Sequence, residues 1–413
     1  MKFRDYQLEI IDKGTEILRE RGMLYLAMEV RTGKTLTALG ICEKVGAQSV
    51  LFVTKKKAIS SILKDTELLC PAFEFFVINY ESLHKIPNIN YDVIVCDEAH
   101  GMGAFAVASN RAKRVKALIA KNNSHLILMS GTPTPESFSQ MYHQVYGHPN
   151  NPFAQYKNFY RWADDYVIVK QKMIGGNRIN DYSGGIEKKI FDAMKPYMIN
   201  YTQKEAGFKS EVEEEVLHVK MEHITYKMSN LLRNDKVING KEEVVLADTG
   251  AKMMSKLHQL YSGTVIFESG KSKTIDWSKA DFISKKFYEQ KIAIFYKFKQ
   301  ELEALKDVYP SRLLTTDIEE FERDPDKSIA LQIVSGREGI SLRQAKYIVY
   351  YNIDFSATSY WQSRDRMTTK DRGFNKVYWV FAEDGIEDKI YKTVIAKKNY
   401  TLKHFKQDLL TLF

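Results

Sequence analysis

The apolar positions fall into two blocks separated by a long polar and aromatic stretch. In the first block, short apolar runs alternate with segments of helical spacing. MLYLAMEV (23–30), SVLFVT (49–54), FEFFVI (73–78), YDVIVCDEAH (91–100) and HLILMSGTP (125–133) read as strands. TLTALGICEKVG (35–46), KKKAISSILKDTELL (55–69) and ASNRAKRVKALIAKN (108–122) have helical spacing, the first ending at a glycine. The second block, from about residue 270, repeats the alternation. KIAIFYKF (291–298), SIALQIV (328–334), AKYIVYYN (345–352) and NKVYWVFA (375–382) are strand-like, and ADFISKKFYEQ, KQELEALKDV and the segment from Ile386 are helix-like. Strands alternating with helices predict α/β units in which helices cover both faces of a parallel sheet.

Between the blocks the chain changes character. NFYRWADDYVIVKQK and IGGNRINDYSGG are polar, aromatic and rich in loop formers, and GFKSEVEEEVLHVKM (207–221) joins an acidic cluster to a strand-like tail. The expected organisation is a first lobe at 1–135, an insertion and linker, partly helical, at 136–265, and a second lobe with a C-terminal helix at 266–413. The length of 413 residues fits two or three domains.

Composition adds constraints. The apolar fraction of 44% is enough for a sizeable core, and the net charge of +9 fits either a polyanionic partner or a solvated Lys-rich surface. Cys42, Cys70 and Cys96 are odd in number and widely spaced, which argues against a disulfide scaffold or a zinc site. The N-terminus lacks the apolar core of a signal peptide and no run of 18 apolar residues exists, so the expectation is a reducing, cytosol-like compartment and no membrane span.

Candidate chemistry sits at the ends of the first-block strands. In parallel sheets ligands bind at the carboxyl ends of strands, and the loops at 28–35, 97–100 and 130–133 all follow strands directly. EVRTGKT (29–35) ends as a phosphate-binding loop does: Gly33 allows close backbone approach, Lys34 reaches phosphate and Thr35 offers a hydroxyl to magnesium. Two usual glycines are replaced, by Met28 and Arg31; a positive φ at position 31 would strain Arg31. VIVCDEAH then delivers Asp97 to hold magnesium, through water, and Glu98 to orient and deprotonate an attacking water. Taken alone, each of these is also compatible with an ordinary helix start or an acidic turn.

In order, GKT, DEAH and SGTP resemble the helicase and translocase superfamily 2 and, within it, the Swi/Snf-type DNA translocases. FRDYQ (3–7) resembles the family's element before the loop, with Arg4 and Gln7 as nucleotide contacts and Gln7 on adenine. The resemblance places Arg31, Thr32, Gly33, Lys34 and Thr35 along the nucleotide. VTKKKAI (53–59) and INYESL (78–83) resemble DNA-contacting segments, and MSGTPTP (129–135) resembles the segment that links hydrolysis to DNA grip. The second block follows the family from KIAIFYKFKQELEAL through a loop at Ser335–Gly339 to QSRDR (362–366) and the closing GIEDKIYKTVIAKK (385–398).

The resemblance implies two RecA-like lobes that hydrolyse ATP between them, with Mg2+, to move along or remodel duplex or branched DNA. Its implied assignments are Glu98, Lys34, Arg366 and Gln362 for catalysis; Gly339 on the nucleotide; Thr35 and Asp97 on the metal; Thr54, Lys55, Thr132, Lys297 and Ser335 on nucleic acid; and His100, Ser130 and Gly131 for coupling. Phe298 and Trp361 are candidates for base stacking or for core packing. The family's second arginine is replaced by Thr369, so Arg366 suffices, Lys370 or Arg372 substitutes, or hydrolysis is slow; Arg364 shares that basic loop. Two alternatives stay open: a strand-separating helicase on DNA or RNA, and a nucleic-acid-binding scaffold with a weakened ATPase. A protein partner would use the insertion at 136–215.

Overall fold

Successive residues of a strand face opposite sides of its sheet, and in the first unit both sides are apolar. Met23, Tyr25, Leu51, Val53, Ile94 and Leu128 join one core cluster, while Leu24, Leu26, Val50, Phe52, Val93 and Ile127 join another on the opposite face. This explains the continuous apolar runs in the sequence: each strand is buried twice. The computed structural model describes residues 3–135, 137–174, 177–207, 211–240, 242–336, 342–356, 359–360, 363 and 374–396. Two units divide the chain between Phe208 and Lys209.

The first unit has strands β1 (Met23–Met28), β2 (Ser49–Thr54), β3 (Glu74–Asn79), β4 (Val93–Cys96), β5 (His125–Met129), a hairpin of β6 (Lys170–Ile174) and β7 (Asn177–Asp181), and β8 (Met198–Tyr201). Six of them form one parallel sheet in the order β3-β2-β4-β5-β1-β8. Its helices α1 (Asp5–Arg21), α2 (Lys34–Val45) and α3 (Ile59–Leu69) contribute buried residues to one face, and α4 (Asn110–Asn122) to the other. All strands being parallel, the loops after β1, β4, β5 and β8 emerge on one edge.

The second unit contains β9 (Glu211–Val219), the two-stranded pairs β10 (Val237–Asn239) with β11 (Val244–Leu246) and β12 (Thr264–Ile266) with β13 (Ser272–Thr274), then β14 (Ile292–Tyr296), β15 (Leu314–Thr315), β16 (Ser328–Gln332), β17 (Tyr347–Tyr350) and β18 (Phe374–Ala382). Its main sheet is parallel with order β15-β16-β14-β17-β18-β9. The α/β class and the two parallel sheets are those expected from the alternation. Among the described residues no helix is long and apolar enough to cross a membrane.

Three local expectations change. The segment expected as one insertion at 136–265 is divided: its residues up to Tyr201 complete the first unit, and those from Glu211 begin the second. Its aromatics are core, with Tyr142, Phe153, Phe159 and Trp162 buried against one another and in the same cluster as β1 and β4. The acidic run is itself a strand: β9 pairs with β18 over nine residues, and Lys376 bridges Glu213 and Glu215 at 2.9 and 2.8 Å. Helix α1, of which only the 3–7 segment was singled out, spans 17 residues despite Gly14. That glycine permits close packing on α2, because a Cβ there would lie 2.7 Å from Ile41 Cδ1.

Candidate active site

The loop between β1 and α2 has two residues in the left-handed region, Arg31 at φ 64° and Gly33 at φ 79°. Glycine adopts this conformation freely; arginine does so at a cost of roughly 1–2 kcal/mol. Arg31 therefore takes the strained alternative foreseen for it, and the surrounding structure must hold it there. Gly33 is required for a second reason. A Cβ on it would stand 2.6 Å from Gln7 Nε2.

Gln7 itself is almost wholly buried behind the loop. Its amide donates to Gly33 O and Thr37 Oγ1, both at 3.3 Å, and its Oε1 accepts from the Arg4 amide at 3.1 Å. Gln7 was expected on adenine; in the structure its polar atoms brace the loop. Arg4 is exposed and donates from Nη1 to Tyr6 Oη, which in turn donates to Thr32 O at 2.9 Å. Lys34 Nζ donates to Glu29 O at 3.2 Å and lies 3.5 Å from where a Cβ on Gly131 would be. The loop after β5 thus passes against the loop between β1 and α2. Thr35 sits half-buried in the first turn of α2.

Asp97 is fixed from three directions at the end of β4. Its amide donates to Val53 O at 2.8 Å, its carbonyl accepts from Tyr80 Oη at 2.6 Å, and its Oδ2 accepts from Thr54 Oγ1 at 2.9 Å. Burial, then the adjacent Glu98 charge, push its carboxyl up to about 6, against the opposing pull of Lys34 and the Thr54 hydroxyl. A half-buried carboxylate held above its usual range by its surroundings suits a cation at this position. Among the described residues no group of three or more His, Cys, Asp and Glu could hold a metal alone. Magnesium tolerates such a sparse set, because it keeps waters and takes phosphate oxygens. Asp97 and Thr35 therefore fit a magnesium ion that arrives with a nucleotide.

Glu98 follows in the left-handed region at φ 49°, ψ 45°, where the chain turns into the short 3₁₀ segment Ala99–Met102. Its Oε2 lies 3.2 Å from His100 Nδ1, and the same ring nitrogen lies 3.0 Å from Ser130 Oγ. Ser130 Oγ also accepts from the Thr132 amide at 3.1 Å. Glu98, His100, Ser130 and Thr132 therefore form one polar chain from the end of β4 to the loop after β5, and His100 and Ser130 are both buried.

The proposed nucleic-acid contacts divide. Thr54 is fully buried and serves Asp97, so it is not placed to touch a strand; it is the last residue of a strand buried on both faces. Lys55, next in the chain, is half-buried. Lys297 is paired with Asp354 at 2.8 Å and lies over the Phe355 ring, while Phe298 packs edge-on against buried His258. Ser335 lies in the short helix Ile333–Gly336 after β16. Gly339, Gln362, Arg366, Trp361, Arg364, Thr369, Lys370 and Arg372 lie outside the described residues.

Sequence reasoning missed the turn after β8. Glu29 N donates to Tyr201 O at 2.9 Å, Gln203 N donates to Glu29 Oε2 at 2.7 Å, and Gln203 Nε2 donates to Val30 O at 3.0 Å. Nothing in the TQKE sequence flags this, because the contact depends on β8 pairing beside β1, with Met28 opposite Tyr201.

Comparison with known proteins supplies the remaining findings. The SNF2-related domain family model matches residues 26–264, more than half of the chain. Helicase SWR1 of Mycosarcoma maydis is 29% identical over 167 residues, 37% of this chain; the match spans only 8% of that protein's length. The Sulfolobus solfataricus SWI2/SNF2 ATPase core in complex with dsDNA is 14% identical with a TM-score of 0.43, covering 96% of this chain and 91% of that one. The ATPase core domain of the same source is 15% identical with a TM-score of 0.43, covering 96% and 89%.

Proposed function

This chain belongs to the SNF2-related domain family, and from that premise we propose that it is a nucleic-acid-dependent ATPase that moves along or remodels duplex DNA. The observation that carries the reading is the convergence of Lys34, Asp97 and the Glu98–His100 pair at one sheet edge. A lysine for the phosphates, a half-buried carboxylate for magnesium and a second carboxylate to orient water match the roles that ATP hydrolysis asks of such a lobe, and His100 beside Glu98 would hold the second in place.

In this reading Lys34 and the loop amides take the β- and γ-phosphates of ATP, and Thr35 and Asp97 hold the magnesium that neutralises them. Glu98 orients a water in line with the γ-phosphorus and accepts its proton. The new P–O bond forms as the bond to the β-phosphate oxygen breaks, releasing ADP and phosphate. His100 positions Glu98 and relays its state through Ser130 to the loop that carries Gly131 and Thr132. Lys55, Thr132, Lys297 and Ser335 are assigned to grip the DNA backbone, contacts that are sequence-independent and salt-sensitive. For Lys297 the phosphate must displace Asp354.

The test is ATP turnover with duplex, single-stranded, forked and four-way-junction DNA. Stimulation by duplex, with triplex displacement and no fork unwinding, supports a translocase. Fork unwinding moves the assignment to a strand-separating helicase, and no stimulation by any nucleic acid defeats the motor reading.

A further inference from the structure

From the contacts around the phosphate loop we infer that Gln203, in the turn after β8, is a positioning residue that holds the loop in the left-handed conformation its Arg31 would otherwise leave. The inference rests on the nucleotide-site reading and assigns that site a part outside the motifs that define it. The loop is held by its carbonyls. Glu29 O accepts from Thr32 Oγ1 and Lys34 Nζ, Val30 O from Gln203 Nε2, Thr32 O from Tyr6 Oη, and Gly33 O from Gln7 Nε2. A carbonyl drawn outward turns the following amide inward, which is the orientation an anion-binding loop needs.

Val30 O belongs to the peptide that ends at the Arg31 nitrogen, so the bond from Gln203 acts directly on the φ-strained residue. A glycine at position 31 would need no such restraint, since both signs of φ are open to it. The turn is itself built to be rigid. Thr202 N and Oγ1 both donate to Glu205 Oε2 at 2.7 Å, Tyr201 Oη donates to Glu205 O at 3.0 Å, and the Tyr201 ring stacks on Tyr6 at 4.7 Å. Tyr6 and Gln203 thus grip the loop from two sides through one packed unit. The grip lies 174 residues along the chain from Glu29 and just ahead of the boundary at Phe208.

The experiment measures the affinity of the full chain for a fluorescent ADP, with thermal unfolding as a fold control. Gln203→Glu keeps the side-chain shape and removes the donor to Val30 O. It is expected to weaken ADP binding on the order of tenfold with the melting temperature nearly unchanged. Gln203→Lys, which restores a donor, is expected to recover part of the loss. Arg31→Gly is the decisive partner: the Arg31→Gly, Gln203→Glu pair is expected to bind within about twofold of Arg31→Gly alone, a strongly non-additive cycle. Unchanged affinity in Gln203→Glu, or losses that simply add in the pair, overturns the brace while leaving the nucleotide site standing. Absence of ADP binding by the unaltered protein overturns the nucleotide reading and the brace together.

Discussion

The Thr54 hydroxyl donates to Asp97 Oδ2 at 2.9 Å, and Thr54 itself is fully buried. This relationship ties Thr54 to the carboxylate proposed to hold magnesium rather than to a nucleic-acid surface. Thr54→Val keeps the volume and removes the donor, leaving a half-buried carboxylate oxygen short of a partner at about 1 kcal/mol of stability. ATP turnover is expected to fall at least about tenfold, since Asp97 loses one of its three restraints. Duplex affinity, read by anisotropy, is expected to stay unchanged; a selective loss of DNA binding would restore the surface role.

Gly33 meets two constraints at once, a φ of 79° and a Gln7 amide that a Cβ would approach to 2.6 Å. Gly33→Ala is expected to destabilise the first unit by about 1–3 kcal/mol and to abolish measurable ATP binding. Calorimetric unfolding and nucleotide titration check the two parts separately.

His143 sets a pH dependence away from the nucleotide. Burial pushes its imidazole down to about 4, and its Nδ1 is buried without a partner. The folded value lies below the unfolded one, about 6.5. The unfolded chain therefore binds the extra proton, so stability is full above about 6.5 and is lost as the pH falls toward 4. His143→Phe, which preserves the stack on Phe159, is expected to remove on the order of 2 kcal/mol of that acid-side loss. Unfolding curves at pH 7.5 and 4.5 for both proteins give the comparison. An equal loss in both would contradict it.

In the second unit Lys279 and Glu387 form a fully buried ion pair at 2.8 Å. Removing one charge strands the other in the interior, so Lys279→Met is expected to lose about 3–5 kcal/mol. Combining it with Glu387→Leu is expected to recover most of that loss. Urea denaturation of the three variants measures both steps, and additive losses would show that the pair is not the source.

The legibility of this protein follows from what its signals encode. Strands β1, β2 and β4 were visible because burial on both faces forces continuous apolar runs, and the carboxyl-edge rule then placed the residues after them together. Order along the chain singled out Lys34, Asp97, Glu98, His100 and Ser130, which the structure brings to one sheet edge, but it carried no information on orientation. Motif position made Thr54 a nucleic-acid candidate, whereas its hydroxyl meets Asp97, and it gave no sign that the Gln7 amide meets Gly33 O. The aromatic segment around Tyr142 and Trp162 read as a polar insertion because its tyrosines and charged residues mask a packed cluster. Gln203 carried no signal, since its function arises from a strand pairing between residues far apart in sequence.

If Glu98 activates water at a site built by Lys34 and Asp97, ATP turnover in the presence of duplex DNA must depend on it. The unaltered chain is expected to hydrolyse ATP faster with duplex than without. Glu98→Gln is expected to bind ATP with similar affinity while turnover falls by at least about a hundredfold, the lower range expected for loss of a general base. Turnover of Glu98→Gln equal to that of the unaltered protein would contradict it.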